Sequence, residues 1–122
     1  MIKLTFCLVR APHLTREAFQ AYWFDTHAPL VKRHQRVLGI RRYVQLHSLD
    51  PAASEDIRRS RGAPEQYDGV AQLWWDSFED LAERLAQPAA ADAGRELLED
   101  ERKFIDLPRS PLWWGEEKVI IG

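Results

Sequence analysis

The sequence predicts an α+β fold whose elements run strand, helix, strand, strand, helix, strand. Residues 2–9 alternate apolar and polar side chains, residues 16–38 carry apolar side chains at helical spacing, and two further alternating stretches precede a second helical pattern. This order is that of a ferredoxin-like βαββαβ fold, in which a four-stranded antiparallel sheet carries both helices on one face. The 122 residues are enough for one such domain.

The first helix carries a start signal, an internal break and a stop signal. Thr15 is suited to cap its first turn, because a threonine hydroxyl accepts hydrogen bonds from free backbone N–H groups. Pro29 has no N–H for the carbonyl of Asp25, so the helix should kink or restart near residues 25–28. The apolar spacing continues beyond the proline, and Gly39 then ends the helix.

The other elements follow from alternation and from turn residues. The expected strands are residues 40–48, 67–76 and 112–122. Residues 50–66 are polar, contain two prolines and a glycine, and predict a long exposed loop. A second helix should start after Ser77, be interrupted at Pro88 and continue over residues 89–101.

One face of the sheet should be left uncovered by the helices. Since side chains alternate between the two faces of a strand, we place Tyr43, Val70 and Trp74 on this open face. A monomer seldom leaves so much apolar surface in water. We therefore expect a homodimer in which two sheets pack face to face.

Composition excludes several classes of partner. The 17 Lys and Arg against 19 Asp and Glu give a formal charge of −2, so no basic field favours nucleic acid. No apolar run approaches the roughly 18 residues of a membrane span. The first residues lack the features of a signal peptide, and Cys7 is the single cysteine. We expect a cytoplasmic protein that binds neither nucleic acid nor membrane.

The pattern F..YW...HAPL, formed by residues 19–30, resembles the EthD-like family, which is named for ethyl tert-butyl ether degradation. YDGVAQLWWDS at residues 67–77 and EDERKFIDLPRS at residues 99–110 resemble its third strand and its late segment. The resemblance implies one ferredoxin-like domain over residues 1–122, within the dimeric α+β barrel superfamily. Members of that superfamily include cofactor-free monooxygenases, aromatic polyketide cyclases and dehydratases, muconolactone isomerases and haem-binding enzymes, so the resemblance leaves the reaction open.

His27 is the candidate catalytic residue, as general acid or base. A neutral imidazole can take or give a proton near pH 7, and the family motif contains this histidine. The alternative is a structural role, in which His27 hydrogen-bonds carbonyls freed by Pro29. Asp25 lies two residues away and does not face His27 on a regular helix, so we expect it to be solvated.

Five residues are candidates for substrate binding. They are Trp23, Tyr43, His47, Trp74 and Arg10. The two tryptophans would line the walls of a pocket between helices and sheet, while Tyr43, His47 or Arg10 would orient an oxygen atom of the substrate. For the aromatic residues, core packing or a dimer interface is the open alternative.

Together with these residues, the resemblance implies an enzyme that acts on a small aromatic or polyketide-like compound without a cofactor. The reaction classes implied by the resemblance are oxidoreductase or monooxygenase and cyclase or dehydratase. The competing hypotheses are a non-catalytic small-molecule-binding or accessory protein and a haem-binding protein with a histidine as axial ligand. The four histidines show no H-E-x-x-H spacing, so no metal site is predicted.

Overall fold

The sheet has four antiparallel strands and the ferredoxin-like topology that the sequence predicts. The computed structural model describes residues 1–122. The strands are β1 Ile2–Leu8, β2 Arg42–His47, β3 Gly69–Trp75 and β4 Leu112–Gly115. Their order across the sheet is β2–β3–β1–β4, which places the two edge strands far apart in sequence and puts β1 and β3 at the centre.

Six helices pack on one face of the sheet or connect its strands. They are α1 Arg16–Tyr22, α2 Ala28–Arg33, α3 Gln35–Leu38, α4 Glu55–Ser60, α5 Phe78–Leu85 and α6 Pro88–Phe104. The Thr15 hydroxyl accepts from the N–H of Ala18, and the Ser77 hydroxyl accepts from Asp80, as expected of N-caps. Gly39 ends α3 at a φ of 75°, a left-handed conformation that favours glycine. No helix is long and apolar enough to cross a membrane.

The expected break of the first helix is a π turn, Trp23–His27. The N–H of Ala28 donates to the carbonyl of Trp23, five residues back, and the backbone dihedrals stay helical throughout. The wider turn changes the hydrogen-bond register just before Pro29, which lies at the start of α2, where its missing N–H costs little. The chain therefore bulges and does not restart.

The loop expected at residues 50–66 is partly helical, so this prediction was wrong. Pro51–Ser54 form a 3₁₀ turn that leads into α4. The Asp50 side chain accepts from the N–H of Ala52, and Glu55 pairs with Arg59 one helical turn later. Local capping and charge pairing stabilise a short helix here without an apolar face.

The second helical region is interrupted just before Pro88, as predicted. α5 ends at Leu85, and Pro88 begins α6, because the first helical position tolerates the missing N–H of proline. The predicted end of the last strand differs. The last strand ends at Gly115, so the apolar residues near the C-terminus do not continue it.

The assignment of Tyr43 to the open face was wrong. Tyr43 lies opposite Leu73 in the β2–β3 ladder, and cross-strand partners share a face. Leu73 packs in the core beneath the helices, so Tyr43 does too. Ile40 is buried but precedes β2, so its direction does not show which residues of β2 face the core. Val70 and Trp74 do lie on the open face, opposite Cys7 and Lys3 of β1.

The core lies between the sheet and the helices in two neighbouring clusters. One contains Ile2, Val31, Leu38, Ile40, Trp75, Ala90 and Ala93, and the other Phe6, Leu8, Phe19, Trp23, Ala71, Phe104 and Ile105. Trp23 packs directly on β3, since a Cβ at Gly69 would lie 2.4 Å from its Cζ3 atom. This contact fixes the π turn over the sheet.

Candidate active site

A cavity of about 180 Å³ lies between the sheet, the π turn and α6. Of its 17 lining residues, 14 are apolar or aromatic. The titratable side chains that line it are His27, Tyr43 and Glu101. An apolar cavity of roughly 150 Å³ can hold a benzene molecule, so this space accommodates about one aromatic ring.

His27 is held by a carboxylate from the other end of the chain. Its Nδ1 lies 2.7 Å from Oδ2 of Asp100, and both residues are buried, with 6% of their surface exposed. The Tyr22 hydroxyl donates to Oδ1 of the same carboxylate at 2.6 Å. The Nζ of Lys103 is 3.6 Å from that oxygen. The π turn and α6 thus position a buried Tyr–Asp–His cluster.

The charges in this cluster follow from burial and hydrogen bonding. Burial lowers the pKa of His27, and the hydrogen bond and charge of Asp100 oppose this only in part. Burial would raise the pKa of Asp100, but the hydrogen bonds from Tyr22 and His27 outweigh it and hold that pKa below its usual range. At neutral pH the pair is a neutral imidazole beside a carboxylate, so Nδ1 carries the proton. Nε2 has no partner in the chain and is the nitrogen available to a ligand.

Glu101 presents a second acid to the cavity. Successive side chains of a helix point about 100° apart. Asp100 points toward His27, so Glu101 points in a different direction, toward the sheet. Burial, with the charge of Asp100, raises the pKa of Glu101 to about 7. No Lys or Arg side chain lines the cavity, so no positive charge there lowers the pKa of Glu101 again.

Tyr43 supplies a hydroxyl on the sheet side of the cavity. It accepts a hydrogen bond from the Gln45 amide at 2.7 Å, which leaves its own proton free for a ligand. Burial raises the pKa of Tyr43 to about 12, so the hydroxyl stays protonated at neutral pH. Tyr43 also lines an open groove of about 580 Å³ on the outer side of the helix, with Phe24 and His47. It therefore stands between groove and cavity.

The structure separates the five predicted binding residues. Trp23 and Tyr43 line the cavity beside His27. His47 stacks on the outer side of Trp23, with ring centroids 4.6 Å apart, and lines the groove. Trp74 lies on the opposite face of the sheet, and Arg10 pairs with Asp68 at 2.8 Å, so neither reaches the cavity.

Sequence reasoning missed Tyr22 as a hydrogen-bond donor and both acids of α6. Asp25, the acid next to His27 in sequence, is exposed, while the partner of His27 is 73 residues away. One signal was present: the helical spacing of Leu97, Asp100 and Phe104 places an acid in an otherwise apolar row. No three His, Cys, Asp or Glu side chains are grouped so as to hold a metal ion.

The family model of the EthD domain matches residues 11–108, which is most of the chain. The protein belongs to the EthD family. This confirms the resemblance carried by the F..YW...HAPL pattern, whose histidine is the one at the cavity.

Three individual proteins resemble this EthD chain. A protein of Claviceps purpurea named decarboxylase is 26% identical over 126 residues, which cover 98% of this chain and 86% of that protein. The crystal structure of an EthD family protein from Bacillus halodurans has a TM-score of 0.62 at 23% identity, covering 97% of this chain and 99% of the other. A dimeric protein of ferredoxin-like fold from Bacteroides fragilis has a TM-score of 0.57 at 10% identity, covering 95% of each chain. Both structural likenesses concern the fold alone.

Proposed function

We propose that this EthD protein is an enzyme that transfers protons to and from a small aromatic or polyketide-like compound, with His27 as general acid and base. The observation that carries the proposal is the pairing of His27 Nδ1 with Asp100, which leaves Nε2 without a hydrogen-bond partner in a residue that lines an apolar cavity. A carboxylate on one ring nitrogen makes the other a better proton acceptor and stabilises the imidazolium that forms.

The cavity and the groove bind different parts of the compound. One aromatic ring enters the cavity beside Trp23, the Tyr43 hydroxyl donates to an oxygen of the compound, and bulkier parts remain in the groove with His47. Three reactions start with removal of a proton from carbon or oxygen: the cyclisation of a polyketide, its dehydration, and the oxygenation of a phenol. The Claviceps purpurea relative is named a decarboxylase, and decarboxylation likewise ends with the transfer of a proton to carbon.

The enzyme acts as a homodimer built through the open face of the sheet. That face carries Val44, Leu46, Val70 and Trp113 between its polar residues. Trp74 also lies on this face but is already covered by Lys3, Arg42 and Glu117. Leu46 and Trp113 are each more than half exposed in the single chain. A second copy supplies a matching apolar face, and the Bacteroides fragilis protein of the same fold is dimeric.

Binding of phenol, followed by NMR, tests the role of His27. Phenol fits a cavity of one aromatic ring, and its hydroxyl can donate to Nε2. We expect phenol to shift the His27 imidazole resonances and to leave those of the exposed His13 unchanged. In His27→Gln, phenol should still bind, because the apolar walls remain, but with a weaker affinity.

Two results would contradict the proposal. If phenol moved no resonance of His27 or its neighbours, the cavity would be closed to ligands. If phenol bound and the His27 nitrogen resonances stayed unchanged, His27 would be structural, and the protein would belong to the non-catalytic binding class.

A further inference from the structure

We infer that Glu101 is a second catalytic residue, which donates a proton to the carbonyl oxygen of an uncharged, enolisable aromatic ketone while His27 removes the proton on the neighbouring carbon. The inference rests on the proposed role of His27 and extends it to a substrate class. It depends on three features of the cavity: the position of Glu101, its lack of a partner, and the absence of cations among the lining residues.

Glu101 and Asp100 are adjacent on α6 but have different surroundings. Asp100 receives hydrogen bonds from Tyr22 and His27 and lies near Lys103. Glu101 lines the cavity itself, and only burial and the charge of Asp100 act on its carboxyl. A half-buried carboxyl that has no hydrogen-bond partner and lines an apolar cavity favours its neutral, proton-donating form. The two acids therefore have different roles. Asp100 positions His27, and Glu101 faces the ligand.

None of the titratable groups around Glu101 carries a positive charge that would favour its ionised form. Asp100 on its own helix is negative, His27 on the π turn is uncharged, and Tyr43 on β2 is uncharged. No Lys or Arg lines the cavity. An anionic ring would be repelled by Asp100 and would meet no cation, so the cavity favours an uncharged ring.

The proton transfers balance without any other reactant. His27 Nε2 takes a proton from the carbon next to the carbonyl, the C–H electrons form the C=C bond of the enol, and the carbonyl oxygen takes the proton of Glu101. A neutral imidazole, a neutral acid and a ketone become an imidazolium, a carboxylate and an enol, so the net charge stays zero. The new charges attract each other in an apolar space, and Asp100 stabilises the imidazolium. The imidazolium exchanges its Nε2 proton with solvent, and the return of a proton to carbon and of the enol proton to Glu101 restores the residues.

The test is exchange of the benzylic protons of phenylacetone in heavy water, followed by proton NMR. Phenylacetone is an uncharged ketone with one aromatic ring, which matches the cavity of about 180 Å³. The native protein should accelerate exchange over buffer. Glu101→Gln keeps the shape of the side chain but cannot transfer a proton, and should slow the exchange by about 100-fold. Glu101→Asp, which retains an acid, should recover part of the rate.

The matched control is Glu99→Gln, the same substitution on an exposed position of α6. It should leave the rate unchanged. Binding of phenylacetone, measured by its NMR line width, should change little in Glu101→Gln, so that a loss of rate is not a loss of affinity.

The outcomes separate the two proposals. If His27→Gln abolishes exchange and Glu101→Gln retains the native rate, the inference about Glu101 is overturned and the role of His27 stands. If both variants retain the native rate, both proposals fail. If the native protein binds phenylacetone without accelerating exchange, paired proton transfer to ketones is overturned, while the phenol experiment decides the role of His27 separately.

Discussion

The imidazole of His27 and the carboxylate of Asp100 meet at 2.7 Å inside the core, although one belongs to a π turn near the N-terminus and the other to the last helix. The Nδ1–H of His27 donates to Asp100, which also accepts from Tyr22. This arrangement fixes the tautomer of His27 and leaves Nε2 as the nitrogen that can exchange a proton with a ligand.

Asp100→Asn should lower the pKa of His27 further. The Asp100 charge and hydrogen bond raise that pKa against the effect of burial, so their loss leaves burial unopposed. An NMR titration of the His27 resonances measures this directly. The variant should also lose roughly 1–3 kcal/mol of stability, the usual cost of disturbing a buried hydrogen-bonded group. Asp92→Asn, on an exposed position of α6, is the control and should change neither quantity. A raised His27 pKa in Asp100→Asn would contradict the assigned pairing.

Glu101 should make the protein less stable as the pH rises. Its pKa is about 7 in the folded state against an ordinary value of 4.5, so the folded state binds more protons between these values. The free energy of unfolding should therefore fall across this window, by on the order of 3 kcal/mol. His27 acts with the opposite sign, because its lowered pKa makes stability fall as the pH drops below 6.5. Comparing variant with native protein isolates the Glu101 contribution.

Urea unfolding of Glu101→Gln and of the native protein at about pH 5 and about pH 8 measures this contribution. The variant should gain stability relative to the native protein at the higher pH and little at the lower. Glu99→Gln should show no such difference. An equal effect of Glu101→Gln at both values would show that the carboxyl ionises in its ordinary range.

Pro29→Ala should change function more than stability. In a regular helix interior, proline costs about 3 kcal/mol relative to alanine, but the π turn already accommodates Pro29. We expect a gain in the free energy of unfolding well below that figure. The restored N–H allows the wider turn to relax, which would move His27 away from Asp100 and weaken phenol binding. Urea unfolding and NMR measure the two effects, and a variant with native phenol binding would show that Pro29 does not hold His27 in place.

The arrangement of the elements could be predicted because it follows from local patterns. Alternation gave the strands, Thr15 and Ser77 marked helix starts, and Gly39 marked a helix end. The face of β2 could not be settled in the same way. Alternation alone placed Tyr43 on the open face, yet Tyr43 faces the core because the β2–β3 ladder aligns it with Leu73.

The sequence predicted three residues of the candidate site, His27, Trp23 and Tyr43, but neither of its acids. His27 stands out beside Pro29 in a motif, whereas its partner Asp100 is brought near by tertiary packing across 73 positions. A single sequence gives no measure of that distance. Glu101 was equally hidden, because an acid within a charged helix gives no sign of burial until the position of the sheet is known.

Because Tyr43 faces the core, the proposed dimer is tested at Leu46, which lies on the open face. Tyr43→Glu would place a charge in the cavity and unfold the monomer, so it reports on stability and not on assembly. Leu46→Glu introduces a charge on the open face, opposite Val70, and should leave the monomer folded because Leu46 is 56% exposed. A dimer through this face would bury more than about 1,000 Å². The new carboxylate would then be buried against apolar side chains without a partner, so the variant should dissociate.

Light scattering at micromolar concentration measures the mass of the native protein and of each variant. The control is Leu49→Glu, since Leu49 is 72% exposed and lies beyond the end of β2, off the sheet face. We expect the native protein and Leu49→Glu to be dimers and Leu46→Glu to be a monomer with an unchanged circular dichroism spectrum. A native monomer would show that the open face is stable in water. If Leu46→Glu remained a dimer, the interface would lie elsewhere. A carboxylate buried in an interface beside Val70 is not tolerated without a partner.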